Sequence, residues 1–306
     1  MTSTRPLATA SPKLPYFLGC PAWAHAPWVG RVFPKGTKCA DLLRQYSMLF
    51  NSVEGNTTFY GMPTLDTVRR WADEALPGFQ FALKFPRSIS HEQQLVGAES
   101  ETKFFLSVLE ILHQADRLGP SFLQLSPSFS GAQLPALAAY LRELPEEFPF
   151  AVEVRHADYF DGGRYEHALD ELLLRLHVDR ALFDSRALYS APPSDEHEQE
   201  AQWRKPNSPL RQTVTWQRPM LRFVSRNSLE QSWPWLSEWL PIVARWIAEG
   251  RTPYVFMHSP DDLYAPEFAR AFHLELMKHV PNLPTLPAWS VETGKASPAK
   301  KQRELF

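Results

Sequence analysis

Eight short apolar runs punctuate this chain, and segments with helical periodicity recur between them. The runs are YFLG (16–19), FNSVEGN (50–56), FQFALKF (79–85), SFLQL (121–125), FAVEVRH (150–156), ALFDS (181–185), MLRFV (220–224) and YVFMH (254–258). Helical patterns occupy 38–49, 64–75, 98–115, 131–144, 163–177, 229–248 and 266–279. Strands that alternate with helices pair in parallel through right-handed crossovers. Eight such units in about 250 residues fit an α/β, TIM-like (β/α)8 barrel better than an open sheet. A doubly wound sheet is the competing architecture, but no glycine-rich fingerprint follows the first strand.

A length of 306 residues with 44% hydrophobic content supports a barrel-sized core. The expected organisation is a leader over 1–14, one barrel domain over 15–280 and a Pro-rich flexible tail over 281–306. Residues 187–217 break the rhythm after the sixth strand with prolines and an acidic-then-basic charge sequence. They read either as a lid or as a solvated insertion. Trp235, Trp239 and Trp246 recur at the spacing of a buried helix stripe, so they are assigned to core packing. A net charge of −2 excludes a broad nucleic-acid-binding field while leaving a local basic cleft open. Cys20 and Cys39 are expected to be free thiols. The leader lacks an apolar segment and no apolar run reaches about 18 residues, so the expectation is a cytoplasmic protein with no membrane partner.

Strand alternation puts polar side chains together. Glu54 and Asn56 share one face of the second strand while Val53 takes the other. By the same parity the third strand presents Lys84, the fourth Gln124, the fifth Glu153 and Arg155, the sixth Asp184, the seventh Arg222 and the eighth His258. Nearly all lie in the C-terminal halves of their strands, where barrel enzymes keep their sites. Three carboxylates and three fixed cations also suit a buried, self-neutralising network, which stabilises little.

Three readings stay open. Glu54 and Glu153 suit general acid and base work if their environments separate their pKa values. Lys84, Arg155 and Arg222 suit a phosphate or carboxylate group. A barrel neutralised from within would serve a non-catalytic binding or adaptor module. His91, His156 and His258 with the carboxylates would suit a divalent metal, but they follow different strands without metal-site spacing. The cofactor is therefore left unknown.

The runs VEGNTTFYGMP, FALKFPRSISH, LGPSFLQLSPSF, AVEVRHADYF, LRFV and YVFMHSPDDLYAPEFAR, from about Gly19 to Phe272, resemble the successive motifs of the YecE-like family, domain of unknown function seventy-two. The resemblance implies a TIM-like barrel. Its polar positions fall here on Glu54, Asn56, Thr58, Tyr60, Lys84, His91, Gln124, Glu153, Arg155 and His156. This chain reads EGNTTFY where much of the family reads E-I-N-S-T-F-Y, and HSPDD where many members carry paired asparagines. Alternation and resemblance together give Glu54, Glu153, His156 and Asp184 as candidate catalytic groups. The candidate substrate contacts are Asn56, Tyr60, Lys84, His91, Gln124, Arg155, Arg222 and His258. The resemblance gives a fold and a pocket but no reaction. The mixed charge of the pocket suggests phosphoester hydrolysis or a sugar isomerase-like or hydrolase-like step on a phosphate-containing small molecule or nucleic acid, with a non-catalytic binding or adaptor module as the alternative.

The chain ends KQRELF, and Gln302, Leu305 and Phe306 match the Q-x-x-L-F pattern that docks bacterial proteins on the DNA sliding clamp. A peptide of this kind places two apolar anchors in a groove while the glutamine hydrogen-bonds at its edge. Calorimetric titration with a bacterial sliding clamp is expected to give micromolar binding that the double variant Leu305→Ala, Phe306→Ala loses. Equal heats from both proteins would remove the clamp from the list of partners.

Overall fold

The computed structural model describes residues 10–289. All eight expected strands form: β1 Phe17–Gly19, β2 Ser52–Gly55, β3 Gln80–Leu83, β4 Ser121–Gln124, β5 Phe150–Glu153, β6 Asp179–Asp184, β7 Met220–Val224 and β8 Tyr254–His258. Every pairing among them is parallel. They fall into two sheets. Six strands pair in the order β1-β8-β7-β6-β5-β4, a parallel half-barrel, and β2 pairs with β3 beside it.

Helices Leu42–Leu49, Leu65–Glu74, Glu99–Gln114, Leu134–Arg142, Arg164–Arg175, Leu229–Ser237, Trp239–Ala248 and Ala265–Leu276 connect the strands. The pattern over 229–248 predicts one helix, yet two form with a break at Glu238. Pro241 explains the break, because it has no N–H to offer the Ser237 carbonyl one turn earlier. Trp239 and Trp246 are buried, as their spacing implies, while Trp235 is half-buried against the same core.

Alternation divides each strand between two cores. Val53, Leu83, Leu123, Val152, Leu182, Leu221 and Val255 join the large core with the helices. The opposite faces give a second cluster of Ala82, Phe122, Ala151, Ala181, Met220, Tyr254 and Phe256, with Phe17 packed against it. That plug unites residues of both sheets, and the polar side chains described below lie beyond it toward the strands' C-terminal ends.

Side chains replace ladder rungs where β1 meets β2. Asn51 Oδ1 accepts from the Leu18 N–H at 2.8 Å, and Asn51 Nδ2 donates to the Tyr16 carbonyl at 2.8 Å. The Tyr46 hydroxyl accepts from the Cys20 N–H at 2.7 Å and donates to the Ser52 carbonyl at 3.0 Å. Gly19 permits the approach, since a Cβ there would lie 2.1 Å from the Ser52 oxygen. Where β3 meets β4, Phe81 N–H donates to the Arg117 carbonyl at 2.8 Å and Phe85 N–H to that of Phe122 at 3.0 Å.

The stretch after β6 is tied to the body of the fold. It forms helix Glu196–Arg204, whose Glu198 is buried and accepts from Arg226 Nη2 at 2.6 Å and from the Asn227 N–H at 3.0 Å. At the other end, Leu283 and Trp289 are buried, and His273 Nε2 lies 2.8 Å from the Pro284 carbonyl. Gln302, Leu305 and Phe306 lie outside the described residues. No helix among the described residues is long and apolar enough to cross a membrane.

Asn51→Ala is expected to strand the Leu18 N–H and the Tyr16 carbonyl, at a cost of about 1–3 kcal/mol for each buried group. Urea denaturation should show a lower midpoint at unchanged slope. A midpoint equal to the parent's would show that these two bonds contribute nothing to the join.

Candidate active site

The C-terminal ends of the strands assemble a charged cluster around Arg222. Its Nε and Nη2 donate to Glu54 Oε2 and Oε1 at 2.8 and 2.7 Å, a two-pronged fork, while Nη1 donates to Glu153 Oε2. Glu54 also accepts from Asn56 Nδ2 at 2.8 Å. His258 Nε2 sits 3.0 Å from Glu54 Oε2, and an ionised carboxylate makes that nitrogen the donor. Glu153 Oε1 accepts from Gln124 Nε2 at 2.7 Å and from Arg155 Nε at 3.0 Å. Gln124 Oε1 in turn accepts from Lys84 Nζ at 2.8 Å. Glu54, Glu153, Gln124, Lys84, Arg222 and His258 are all buried.

Charge decides the protonation states. Burial by itself would raise both glutamates, but the charges of Arg222 and His258 outweigh it at Glu54 and hold that carboxyl well below its ordinary value. Arg222, Arg155 and Lys84 do the same at Glu153 and bring it to about 2. Lys84 shifts the other way. Burial, then the charges of Arg222 and Arg155, outweigh the two glutamates and lower it to about 7. Burial followed by Lys84 and Arg155 lowers His91 to about 4. At neutral pH the site therefore holds two carboxylates, two guanidiniums, a neutral His91 and an amine near its midpoint. Burial also lowers His258, against the pull of Glu54.

The one-turn helix Thr57–Tyr60 completes the Lys84 side of the site. Thr58 Oγ1 donates to the Lys84 carbonyl at 2.6 Å and fixes the end of β3. The same turn brings the Phe59 ring under Lys84 Nζ, 3.7 Å from the centroid, and rotates Tyr60 outward to 81% exposure. His91 packs edge-on to Phe59 at 5.1 Å, with Nδ1 2.9 Å from Ser90 Oγ.

Three predicted residues are not brought to this cluster. Asp184 belongs to the other face of β6, where Arg186 Nε and Nη2 donate to it at 3.0 and 2.9 Å and Trp239 Nε1 at 2.8 Å. Phe183 occupies the inner position, in register with Arg222 and 5.4 Å from its guanidinium carbon. His156 caps its own turn, accepting from the Asp158 N–H at 3.2 Å. Tyr60 touches the site only through Phe59. Sequence reasoning missed Phe59 and Lys205. Phe59 stands inside the NTTFYG run, where a strand parity extended past Asn56 has no meaning once the helix begins. Lys205 comes from the loop after β6 and interacts electrostatically with Asp262, Arg222 and Glu54; burial lowers its pKa.

Among the described residues no group of three or more His, Cys, Asp or Glu side chains is placed to hold a metal ion. His91, His156 and His258 go to separate partners. A groove of about 570 Å³ lined by Leu95, Thr102, Lys103, Tyr140 and Arg142 lies between helices and includes none of the cluster.

Known proteins resemble this chain in sequence and in fold. The family model described as "Protein of unknown function DUF72" matches residues 17–290. The chain is 35% identical over 272 residues to the UPF0759 protein YecE of Escherichia coli K12, covering 89% of this chain and 96% of that one. The same protein of the O157:H7 strain matches over the same share at 35%. A DUF72 family protein of Thermotoga maritima superposes with a TM-score of 0.65 at 21% identity, over 85% of this chain and 98% of that one. One from Enterococcus faecalis gives 0.63 at 19% identity, over 87% and 97%. With the family match spanning almost every strand and helix described above, this chain belongs to the DUF72 family, alongside YecE.

Proposed function

We propose that this protein is an enzyme that takes a phosphate-containing substrate on Lys84 and Arg155, at the mouth of a (β/α)8 barrel. The barrel reading is supported by the hydrogen bonds that bridge both joins between the sheets, and by Arg222 reaching carboxylates on β2 and β5. One observation carries the functional reading. Lys84 makes no salt bridge among the described residues, and its amine meets only the neutral Gln124 amide and the Phe59 ring. Both carboxylates are taken up by the arginines. The two carboxylates balance the two guanidiniums, which leaves Lys84, near its midpoint, as the group that an incoming anion would draw to full charge. Arg155 keeps 16% side-chain exposure and commits only Nε to Glu153, which leaves its other N–H groups for an anion.

The paired-glutamate alternative fits less well. An acid and a base need pKa values driven apart toward neutrality, whereas Glu54 and Glu153 are both pushed down. Their role in this reading is to hold Arg222, Gln124 and Arg155 in place.

Calorimetric titration with inorganic phosphate, a sugar phosphate and a single-stranded oligonucleotide tests the proposal and separates its two sources of phosphate. Binding is expected to draw Lys84 toward its charged form and take up a proton at pH 8, so the heat will vary with the buffer's ionisation enthalpy. Lys84→Met and Arg155→Met should each weaken binding by about tenfold or more, as loss of a charge-assisted bond implies. Saturable binding of the oligonucleotide alone would assign the site to nucleic acid. Heats that none of the three ligands produces would overturn the reading.

The same residue gives a stability prediction. An amine lowered to about 7 in the fold and about 10.4 when unfolded binds fewer protons folded than unfolded across that window. The parent protein therefore gains stability from Lys84 as pH rises from 7 to 10, at up to about 1.4 kcal/mol per unit. Lys84→Met should be the more stable protein at pH 6, and its advantage should shrink steadily toward pH 10. An advantage that stays constant with pH would show that Lys84 is not penalised by burial.

A further inference from the structure

We propose that Lys84 is a nucleophilic amine that forms an imine with the carbonyl carbon of an aldehyde or ketone substrate, the substrate's anionic group resting on Arg155. The proposal rests on the phosphate reading but leaves the substrate's anion to Arg155, so that Lys84 is free in its neutral form to supply the reacting atom. Its geometric basis is the way the amine is held. Glu153 can only accept, so it fixes the Gln124 amide with Nε2 toward itself, and Gln124 Oε1 must then face Lys84. That oxygen takes one N–H of Lys84, and the Phe59 ring lies 3.7 Å below the nitrogen. The amine is thus oriented by a neutral acceptor and an apolar face, with 7% of the residue left exposed. Among the described residues Lys84 is the one lysine so placed in the cluster; Lys13, Lys35, Lys38, Lys103 and Lys278 are exposed.

Electrostatics makes the nitrogen available. Burial opposes its protonation most, Arg222 on β7 and Arg155 after β5 oppose it further, and Glu153 on β5 and Glu54 on β2 favour it, so that it titrates at about 7. A desolvated amine among cations is a recognised way to activate lysine for carbonyl chemistry. In the step itself the Nζ lone pair attacks the carbonyl carbon, the carbon–oxygen π pair moves to oxygen, and the oxygen takes the proton that nitrogen sheds. The nitrogen lone pair then expels the hydroxyl as water with one proton from solvent. The product is a protonated imine whose positive charge lies where the ammonium's did, so the Glu54–Arg222–Glu153 bridge needs no rearrangement.

Reductive trapping tests this. The full chain is treated with glycolaldehyde phosphate, or with glycolaldehyde, in sodium cyanoborohydride, and the modified lysines are located by peptide mass mapping. The hydride of the added reductant converts any imine to a stable secondary amine. Lys84 is expected to be modified at least tenfold faster than the five exposed lysines at pH 7, and inorganic phosphate should suppress that modification. Its rate should level off above pH 7, while the exposed lysines keep accelerating toward pH 10. Modification spread evenly over the surface, or centred on Lys205, would overturn the assignment. The two readings fail separately. Phosphate binding without Lys84 modification would sink the imine alone. Lys84 modified equally by both aldehydes and indifferent to phosphate would keep the amine and remove the anion site. Because the parent protein is the one mapped, the result does not depend on a variant's folding.

Discussion

Arg222 is the bond on which this arrangement turns. It stands on β7 in the large sheet, grips Glu54 on β2 in the small sheet with two parallel hydrogen bonds, and reaches Glu153 on β5 with its third nitrogen. One guanidinium therefore joins three strands that no backbone ladder connects directly. Such a bridge is a poor source of net stability, because desolvating three charges consumes most of what their attraction returns. Its value is geometric. Removing any one member would leave a buried charge without its partner, a loss of about 3–5 kcal/mol, so the members must stay where they are. Gln124, Asn56, His258 and Arg155 then take their positions from the carboxylates, and Lys84 takes its own from Gln124.

The joins between the sheets follow a similar logic. A strand edge with unpaired N–H and carbonyl groups needs partners wherever it is buried. At β1 and β2 those partners are an asparagine and a tyrosine rather than another strand. Tyr46 spans the gap from a helix, and so carries the position of Leu42–Leu49 into the spacing of the strands. Gly19 lets the backbones close because nothing larger would fit. Glu54 follows directly after this join, and its N–H donates to the Cys20 carbonyl at 3.0 Å. The carboxylate that Arg222 grips is thus placed by the same contacts that hold the two sheets together.

Much of this was legible in the sequence. Eight apolar runs gave eight strands, and a period of two gave the inward set Glu54, Lys84, Gln124, Glu153 and Arg222. Parity failed at β6 for a definite reason. It sorts a strand into two faces without saying which face is inside, and a polar side chain such as Asp184 can stand on either. The register of Phe183 with Arg222 settles the matter, and Trp239 and Arg186 supply the outer face with the donors that a buried carboxylate needs. Phe59 escaped because the chain turns helical at Thr57, one residue past the last strand position that alternation could describe. Arg226 with Glu198 escaped because the pair closes across a loop, where no period relates the partners.

Lys84 brings the structural and chemical sides together. A methionine or leucine there would fill the same volume against Phe59 without the cost of burying an ammonium, and the Glu54–Arg222–Glu153 bridge would persist without it. The fold instead keeps a base whose charge is opposed by two neighbouring arginines and whose carboxylates are already engaged. Departures from the best-packed choice are expected at functional sites, which is the reading proposed for Lys84. The surrounding bonds are arranged to tolerate that cost. Gln124 interposes a neutral amide between Lys84 and Glu153, so the amine is oriented without being locked into a salt bridge. A direct Lys84–Glu153 pair would raise the lysine's pKa, satisfy both charges and make the amine inert. The glutamine between them therefore keeps the amine out of a salt bridge, which is the condition that the proposed imine chemistry requires.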